Sequence, residues 1–278
     1  MIKRIVFLLM GLFIFPLSSF SFDVSTSPEA VSQGDAFLVR ITSVTNDIPV
    51  GTIGDKAIVF HRISDGNFIA LSSTGIEQPP KTHTIKVMLG RSSVTKIVKV
   101  HPRKSRTINL TLPENKVTLS PQNEKRAEYE SASLRSKWSK RSERMWKGKF
   151  SAPLGTDVST EFGIMRIING HKKSIHKGVD YKGKNGTPIK AINSGIVALT
   201  DDQFFGGKTV MVDHGEGIFS IYMHLSTITV EEGQHITKSD TVGLVGSTGR
   251  SSGPHLHLTV KWDGLTVDPL SLFRLPIE

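Results

Sequence analysis

Alternation of hydrophobic and polar residues divides most of the chain into two β-rich parts. In the N-terminal part, short runs of β-branched and aliphatic residues are separated by Gly, Asn, Asp and Pro. Short strands with turn residues at this spacing are typical of a small β-sandwich. The pattern therefore predicts a β-sandwich over residues 22–118, with strands in four segments: 37–41, 57–60, 84–88 and 94–100.

The C-terminal part, residues 150–278, shows the same alternation but is much richer in glycine. Glycine supplies the positive-φ turns and tight bends that connect short strands. No long helical period interrupts the pattern, so we expect an antiparallel sheet and an all-β fold class for the chain. The predicted strands are 189–199, 209–213, 219–225, 241–245 and 255–261.

Between the two parts, apolar residues recur with the period of an α-helix, which predicts a linker helix over residues 119–149. Ser120 is a good N-cap, and Pro121 suits the first helical position. Four apolar residues recur at spacings of seven, four and seven along one helix stripe: Ala127, Leu134, Trp138 and Met145. The segment is also basic. One interpretation is that this helix contacts an anionic glycan or membrane. The other is that it connects the two domains, with its apolar stripe packed on a neighbouring domain and its charged side chains in solvent.

The first 21 residues have the composition of a secretory signal peptide. Lys3 and Arg4 precede an apolar run over residues 5–15, which is too short to span a bilayer. Ser19 and Ser21 provide a small-x-small cleavage site, and an uncleaved membrane anchor is the alternative. The chain has no cysteine, which excludes attachment through a lipidated cysteine and any disulfide. We therefore expect an exported protein of the bacterial periplasm or cell envelope, without a transmembrane helix in the mature chain.

The net charge of +10 and the pI of about 9.7 indicate a surface that attracts anionic molecules. Charge alone does not distinguish nucleic acid, anionic lipid and acidic polymers. Because an exported protein meets no cytoplasmic nucleic acid, we expect an envelope polymer or lipid as the anionic partner.

Three short segments of the C-terminal part carry residues that bind metals. They are His176-Lys177-Gly178-Val179-Asp180, then Tyr222-Met223-His224-Leu225, and finally His255-Leu256-His257. On a strand, His255 and His257 would share one face, and the intervening leucine would point into the core. Catalytic zinc typically has three protein ligands and an open fourth position. Six other histidines carry no such pattern, and the last three are predicted to be at the surface: His61, His83, His101, His171, His214 and His235.

The order of these segments resembles the lysostaphin/LytM-type zinc metalloendopeptidases, over about residues 150–272. The motifs that carry the resemblance are 162–163, 176–181, 186–189, 222–226, 246–249, 252–257 and 267–270. The resemblance implies that His176, Asp180 and His257 bind one Zn²⁺ per chain. It also implies that His224 and His255 are catalytic residues that flank the metal, with their individual roles left open. Members of the family often have an acidic residue where this chain has Thr259.

The resemblance implies hydrolysis of peptide cross-links in the bacterial cell wall through a metal-activated water, with peptidoglycan stem peptides as substrate. The alternative is a non-catalytic module that activates other wall hydrolases, as in relatives that have lost zinc ligands; the complete ligand set here favours the enzyme. A sugar-binding envelope protein is a third hypothesis, supported only by the basic charge. The N-terminal sandwich is expected to position the catalytic domain, to recruit an envelope protein or to cover the cleft. Residues 171–174 and 201–205 are the candidate loops of the cleft wall.

Overall fold

The computed structural model describes residues 22–111 and 114–277, so the predicted signal peptide lies outside the described residues. The prediction of a mostly β fold with two β-rich parts is confirmed. Among the described residues, no helix combines the length and apolar character needed to cross a membrane.

The N-terminal part is a sandwich of two sheets, with strand orders β1-β3-β7-β6 and β2-β9-β8-β4-β5. Alternate side chains of both sheets, such as Phe37 of β3 and Ile85 of β8, meet in one core. The strands are β1 (Asp23–Ser27), β2 (Val31–Ser32), β3 (Ala36–Thr42), β4 (Val50–Ile53), β5 (Lys56–Ile58), β6 (His61–Ser64), β7 (Asn67–Ser73), β8 (Thr82–Leu89) and β9 (Ser92–His101).

The C-terminal part is dominated by a ten-stranded sheet, whose main path is β11-β14-β21-β18-β17-β16-β19. Strand β21 lies inside this path, between β14 and β18. The strands are β11 (Val158–Thr160), β14 (Val179–Lys182), β15 (Pro188–Lys190), β16 (Gly195–Gln203), β17 (Gly207–Gly215), β18 (Ile218–Ile228), β19 (His235–Ile236), β20 (Thr241–Val245), β21 (His255–Trp262) and β22 (Leu265–Val267).

The predicted strand 189–199 is wrong, because the chain turns between β15 and β16. Asn193 causes the turn: its fully buried side-chain carbonyl accepts hydrogen bonds from the backbone N–H of Ser194 (2.9 Å) and of Lys147 (3.0 Å). An Asn side chain that bonds to nearby backbone offers the chain an alternative to continued strand pairing. The hydrophobic run alone did not reveal this interruption.

A third, three-stranded sheet joins the two parts of the chain. Strand β10 (Thr107–Leu110) follows the sandwich and pairs in parallel with β12 (Met165–Ile168), which forms a hairpin with β13 (Lys172–Ile175). The sequence analysis did not predict β10, because its partner lies far along the chain.

The two β-rich parts also share hydrophobic core. Both faces of β3 are covered: Phe37 and Val39 point into the sandwich, whereas Ala36 and Leu38 pack with residues of the C-terminal part. This explains the unbroken hydrophobic run at the start of β3, since a strand that is buried on both faces does not alternate.

The linker helix is shorter than predicted. Helix α2 (Pro121–Trp138) begins at the expected N-cap, Ser120, but ends at Trp138. The backbone beyond it bonds to the end of β17 instead, where N–H groups of Met145 and Trp146 both donate to the carbonyl of His214. Met145 therefore lies outside the helix. Two other short helices are α1 (Glu114–Val117) and α3 (Pro269–Phe273).

Of the two interpretations of this helix, packing against a neighbour is the one observed. Leu134 and Trp138 pack on Phe219 and its neighbours at the outer face of the large sheet. Arg126 donates to the carbonyl of Asp202 (2.7 Å), and Glu130 accepts from the N–H of Phe204 (2.7 Å). The apolar stripe and some of the charged side chains of α2 therefore make contacts within the molecule.

Candidate metal centre

Antiparallel pairing of β14 with β21 brings the predicted metal ligands together. Asp180 lies directly opposite His257 in the register, and His257 Nδ1 is 2.7 Å from Asp180 Oδ1. His176 approaches from the segment before β14, so that its Nε2 is 3.0 Å from the same oxygen and 3.1 Å from His257 Nδ1. The three donor atoms form one compact triangle.

Gly178 allows this close approach. A Cβ atom at this position would lie 2.6 Å from His257 Nε2 and 2.4 Å from the carbonyl oxygen of Leu258. Both distances are far below van der Waals contact, so any side chain at Gly178 would push the two strands apart. The glycine between the first two donors is therefore a packing requirement of the centre.

Hydrogen bonds on the outer side of each imidazole decide which nitrogen faces the triangle. His176 Nδ1–H donates to the carbonyl of Glu161 (2.8 Å), which leaves a lone pair on Nε2. In the tautomer of His257 that donates Nε2–H to the Thr259 hydroxyl (3.0 Å), Nδ1 keeps its lone pair. Two imidazole lone pairs and one carboxylate oxygen then face one another, an arrangement that a bound cation satisfies.

The donor set fits zinc. Bonds of about 2.0–2.1 Å in a tetrahedral arrangement separate ligand atoms by roughly 3.3–3.4 Å, close to the separations of 2.7–3.1 Å observed here. Burial opposes ionisation of Asp180, but hydrogen bonds from ring N–H groups of His176 and His257, which form when no cation takes their place, outweigh it and hold the pKa of this carboxyl well below its usual range. Asp180 is therefore an anion at neutral pH, as a metal ligand must be.

A β-bulge turns His224 toward the centre. Met223 and His224 of β18 together oppose Thr209 alone of β17, and His224 has φ +65°. Bulges re-aim side chains in this way next to functional sites. The ring centroid of His224 lies 6.1 Å from that of His257 and 4.8 Å from that of His255.

His224 and His255 present the same side of their rings to the cleft. In each, Nδ1 lies within hydrogen-bond distance of a backbone carbonyl, Thr248 (2.9 Å) for His224 and Gly253 (2.8 Å) for His255. Nε2 of each ring is then the nitrogen with a free lone pair. Burial lowers the pKa of His224 to about 4, so this imidazole is neutral at physiological pH. All five residues singled out in the sequence therefore meet at one site.

Four of these residues, Asp180, His224, His255 and His257, line a cleft of about 930 Å³, and His176 is buried behind them. One wall carries Ile108 and Leu110 of β10, and another carries Arg250 and the turn that leads to His255. The candidate wall loop 171–174 is instead mostly strand β13, with Ser174 at the cleft, because residues 172–175 pair with β12. Residues 201–203 belong to β16, and Phe205, just beyond, contacts Arg250 rather than the cleft.

Sequence reasoning missed several residues of the site and misplaced one histidine. Ile108, Leu110, Arg166 and Arg250 all line the cleft; their sequence offered no signal beyond the basic charge of the two arginines. His171 and His235 are exposed as predicted, but the prediction that His214 is a surface residue is wrong. His214 is fully buried, and burial lowers its pKa to about 4.

A stretch of the C-terminal part matches a known protein family. Residues 174–269 match the sequence model of Peptidase family M23. DD-carboxypeptidase/endopeptidase Mpg of Neisseria meningitidis serogroup B is 36% identical over 117 residues, which are 42% of this chain and 27% of the relative. Peptidoglycan DD-endopeptidase ShyA of Vibrio cholerae serotype O1 is 39% identical over 101 residues, which are 36% of this chain and 24% of the relative. The chain thus spans about a quarter of the length of these curated relatives.

A crystal structure from Pseudomonas aeruginosa, described as peptidase M23, is similar over most of the chain. It has a TM-score of 0.67 and 27% sequence identity, and the match covers 87% of this chain and 94% of that one. The likeness therefore extends beyond residues 174–269 into the N-terminal β-rich part.

Proposed function

Because residues 174–269 form a Peptidase family M23 domain, we propose that this chain is a zinc-dependent peptidoglycan endopeptidase. It would hydrolyse peptide cross-links of the cell wall outside the cytoplasm, in the periplasm or cell envelope. The observation that carries the proposal is the convergence of His176, Asp180 and His257 into one donor triangle with His224 and His255 beside it. The names of the two curated relatives support the same substrate.

The three donors hold the metal in this proposal. Zinc bound there would supply a Lewis acid and a water molecule of lowered pKa. Asp180 contributes the negative charge, the carbonyl of Glu161 keeps His176 in the tautomer that binds a cation, and the hydroxyl of Thr259 orients the ring of His257.

His224 and His255 move protons in this proposal. Neutral His224 has its Nε2 lone pair available to accept a proton from the attacking water, since its Nδ1–H is held by the carbonyl of Thr248. His255 lies at the more open side of the cleft, with 20% of its side chain exposed. Once its Nε2 has also bound a proton, the imidazolium can donate that proton to the oxyanion or the leaving amine and return to its neutral form.

The proposal is tested by measuring zinc content and wall digestion on wild-type protein, His255→Ala and His257→Ala. We expect wild type to carry one zinc and to release peptide fragments from purified peptidoglycan. His255→Ala should keep the zinc and lose activity by about a hundredfold or more, because it removes a proton-transfer group. His257→Ala should lose both.

His235→Ala is the matched control, because His235 is exposed and does not line the cleft. If wild type bound zinc and cut no wall material, the alternative of a non-catalytic activator of other wall hydrolases would replace the enzyme.

The domain layout belongs to the same proposal: a signal peptide (1–21), a β-sandwich accessory domain (22–118), a linker (119–149) and the metallopeptidase domain (150–278). An envelope protein that binds the sandwich remains a prediction from the sequence.

A further inference from the structure

The cleft beside the metal centre is strongly cationic. Among the described residues that line it, four are basic: Arg166, Lys182, Lys184 and Arg250. The single acidic residue in the same lining is Asp180, which faces the metal donors. A cleft lined by one sign of charge with low-dielectric walls concentrates ligands of the opposite sign.

Arg166 connects this charge to the metal centre. Its Nη2 is 3.2 Å from Oδ2 of Asp180, the carboxylate oxygen that does not face the histidines. Its buried Nε has no hydrogen-bond partner within the described part of the chain. The guanidinium thus retains donors that the protein does not satisfy, at a point next to the predicted metal ligands.

Arg250 also lines the cleft, and it has no carboxylate partner among the residues that the structure describes. Its guanidinium stacks over the ring of Phe205, 5.3 Å from the centroid, and no ion pair within residues 22–111 and 114–277 neutralises it. Burial and the nearby positive charge of Arg166 both lower the pKa of Arg250. The two guanidiniums thus line one cleft and repel each other, and an anion bound in that cleft would offset the repulsion.

We propose that Arg166 and Arg250 form a carboxylate-binding site, which selects peptides that carry a free carboxylate within reach of the bond to be cut. The inference rests on the proposed function and adds the substrate class. Arginine suits this role because its planar fork of N–H donors matches the two oxygens of a carboxylate. The stack on Phe205 orients the guanidinium of Arg250, and the contact with Asp180 orients the guanidinium of Arg166.

The test compares two substrates: cross-linked muropeptide dimers from purified peptidoglycan, and the same dimers after amidation of their free carboxylates. We expect the wild-type holoenzyme to prefer the native dimer by about tenfold or more in kcat/KM, chiefly through KM. Arg250→Gln should bring the ratio between the two substrates close to one, whereas Arg250→Lys should retain part of the preference because it keeps the charge.

The control is Arg91→Gln, the same substitution at an exposed turn between β8 and β9, which should leave the ratio unchanged. Thermal melting of each variant separates loss of binding from loss of fold. The proposal is overturned if wild type cuts both dimers equally well, or if Arg250→Gln lowers kcat on both by the same factor. The second result would place Arg250 on the transition state instead of the substrate carboxylate.

Binding separates failure of this inference from failure of the proposed function. Metal-loaded His255→Ala, which should bind without cutting, is titrated with both dimers. Tighter binding of the native dimer supports the carboxylate site even if wild type cuts neither, which would refute the proposed function alone. Equal binding of the two dimers, or none, refutes the carboxylate site.

Discussion

Thr259 shows how one residue outside the donor triangle affects the candidate metal centre. Its hydroxyl is 3.0 Å from His257 Nε2 and is buried, so it is positioned to orient the imidazole ring. A carboxylate at this position would also attract the proton on Nε2 and would make His257 a stronger donor. Threonine fixes the same geometry without that charge.

Thr259→Val should weaken zinc binding by about tenfold or more, because it removes the outer hydrogen bond while keeping the shape of the side chain. The measurement is competition for zinc between the protein and a chelator. Thr95→Val, on an exposed position of β9, is the control and should bind zinc as wild type does. Unchanged affinity in Thr259→Val would mean that the backbone alone orients His257.

His214 makes the stability of the fold depend on pH. Its Nδ1–H donates to the carbonyl of Ser194 (2.8 Å), and its Nε2 is 2.8 Å from the hydroxyl of Ser220. Burial is the larger effect and lowers its pKa from 6.5 to about 4, so the unfolded chain binds a proton more readily than the folded chain. Stability from this residue is complete above pH 6.5 and is lost as pH falls toward 4.

We therefore expect the free energy of unfolding to fall by about 3 kcal/mol between pH 6.5 and pH 4 on account of His214. Denaturant unfolding at several pH values measures the slope. His214→Gln should flatten it, and His235→Gln, which changes an exposed histidine, should not. The same slope in His214→Gln and wild type would assign the loss to other groups.

At the scale of single residues, the sequence predicted those whose chemistry can be recognised from short motifs. His176, Asp180 and His257 were candidates because histidine and aspartate are metal donors, and the resemblance to lysostaphin/LytM-type enzymes implied that these three bind the metal. Arg250 could not be singled out, since its proposed role depends on Phe205 and Arg166, which lie in other segments of the chain. His214 was wrongly predicted to lie at the surface, because the sequence does not show that this residue has hydrogen-bond partners in the core.

Strand β10 is the element that links the N-terminal part to the cleft. Its parallel pairing with β12 extends the β12–β13 hairpin into a three-stranded wall, and its residues Ile108 and Leu110 face the cleft. An isolated hairpin is only marginally stable in water, so β10 also supports the wall that it completes. Sequence patterns predict local strands well, but they do not identify a partner so far along the chain.

Ile108→Ser should raise KM for peptidoglycan fragments by about fivefold, because about 1 kcal/mol of apolar contact in the cleft wall is removed. The measurement is steady-state cleavage of soluble muropeptide dimers. Ile97→Ser is a matched control on the N-terminal sheet, where Ile97 is 66% exposed. If KM stayed the same, the substrate would not contact the wall that β10 forms.

At the scale of the whole molecule, the two β-rich parts are held together by more than the linker. Ser271 of α3 accepts a hydrogen bond from the N–H of Ala36 (2.8 Å), and the N–H of Asp268 donates to the carbonyl of Gly34 (2.7 Å). Arg103 forms ion pairs with both Asp35 and Asp268. The sequence predicted two β-rich parts but not this contact, because composition does not reveal which faces of two sheets meet.

A chain that begins at Lys149 should therefore be much less stable than one that begins at Phe22. It lacks β10, it lacks Trp146, which is only 1% exposed, and it uncovers the core shared with Ala36 and Leu38. Thermal melting and resistance to limited proteolysis measure the difference. Equal stability, together with equal cleavage of wall material, would refute the hypothesis that residues 22–118 position the catalytic part.

The contact between Ala36 and Ser271 joins residues 235 positions apart, and it has a consequence for the order in which the protein forms. Folds that depend on contacts between distant residues form slowly, because the intervening chain must be closed into a loop first. His257 likewise reaches His176 across 81 positions. A nascent chain halted before β21 lacks the last metal donor and the contact between Ala36 and Ser271, so the centre assembles only after β21 has been synthesised.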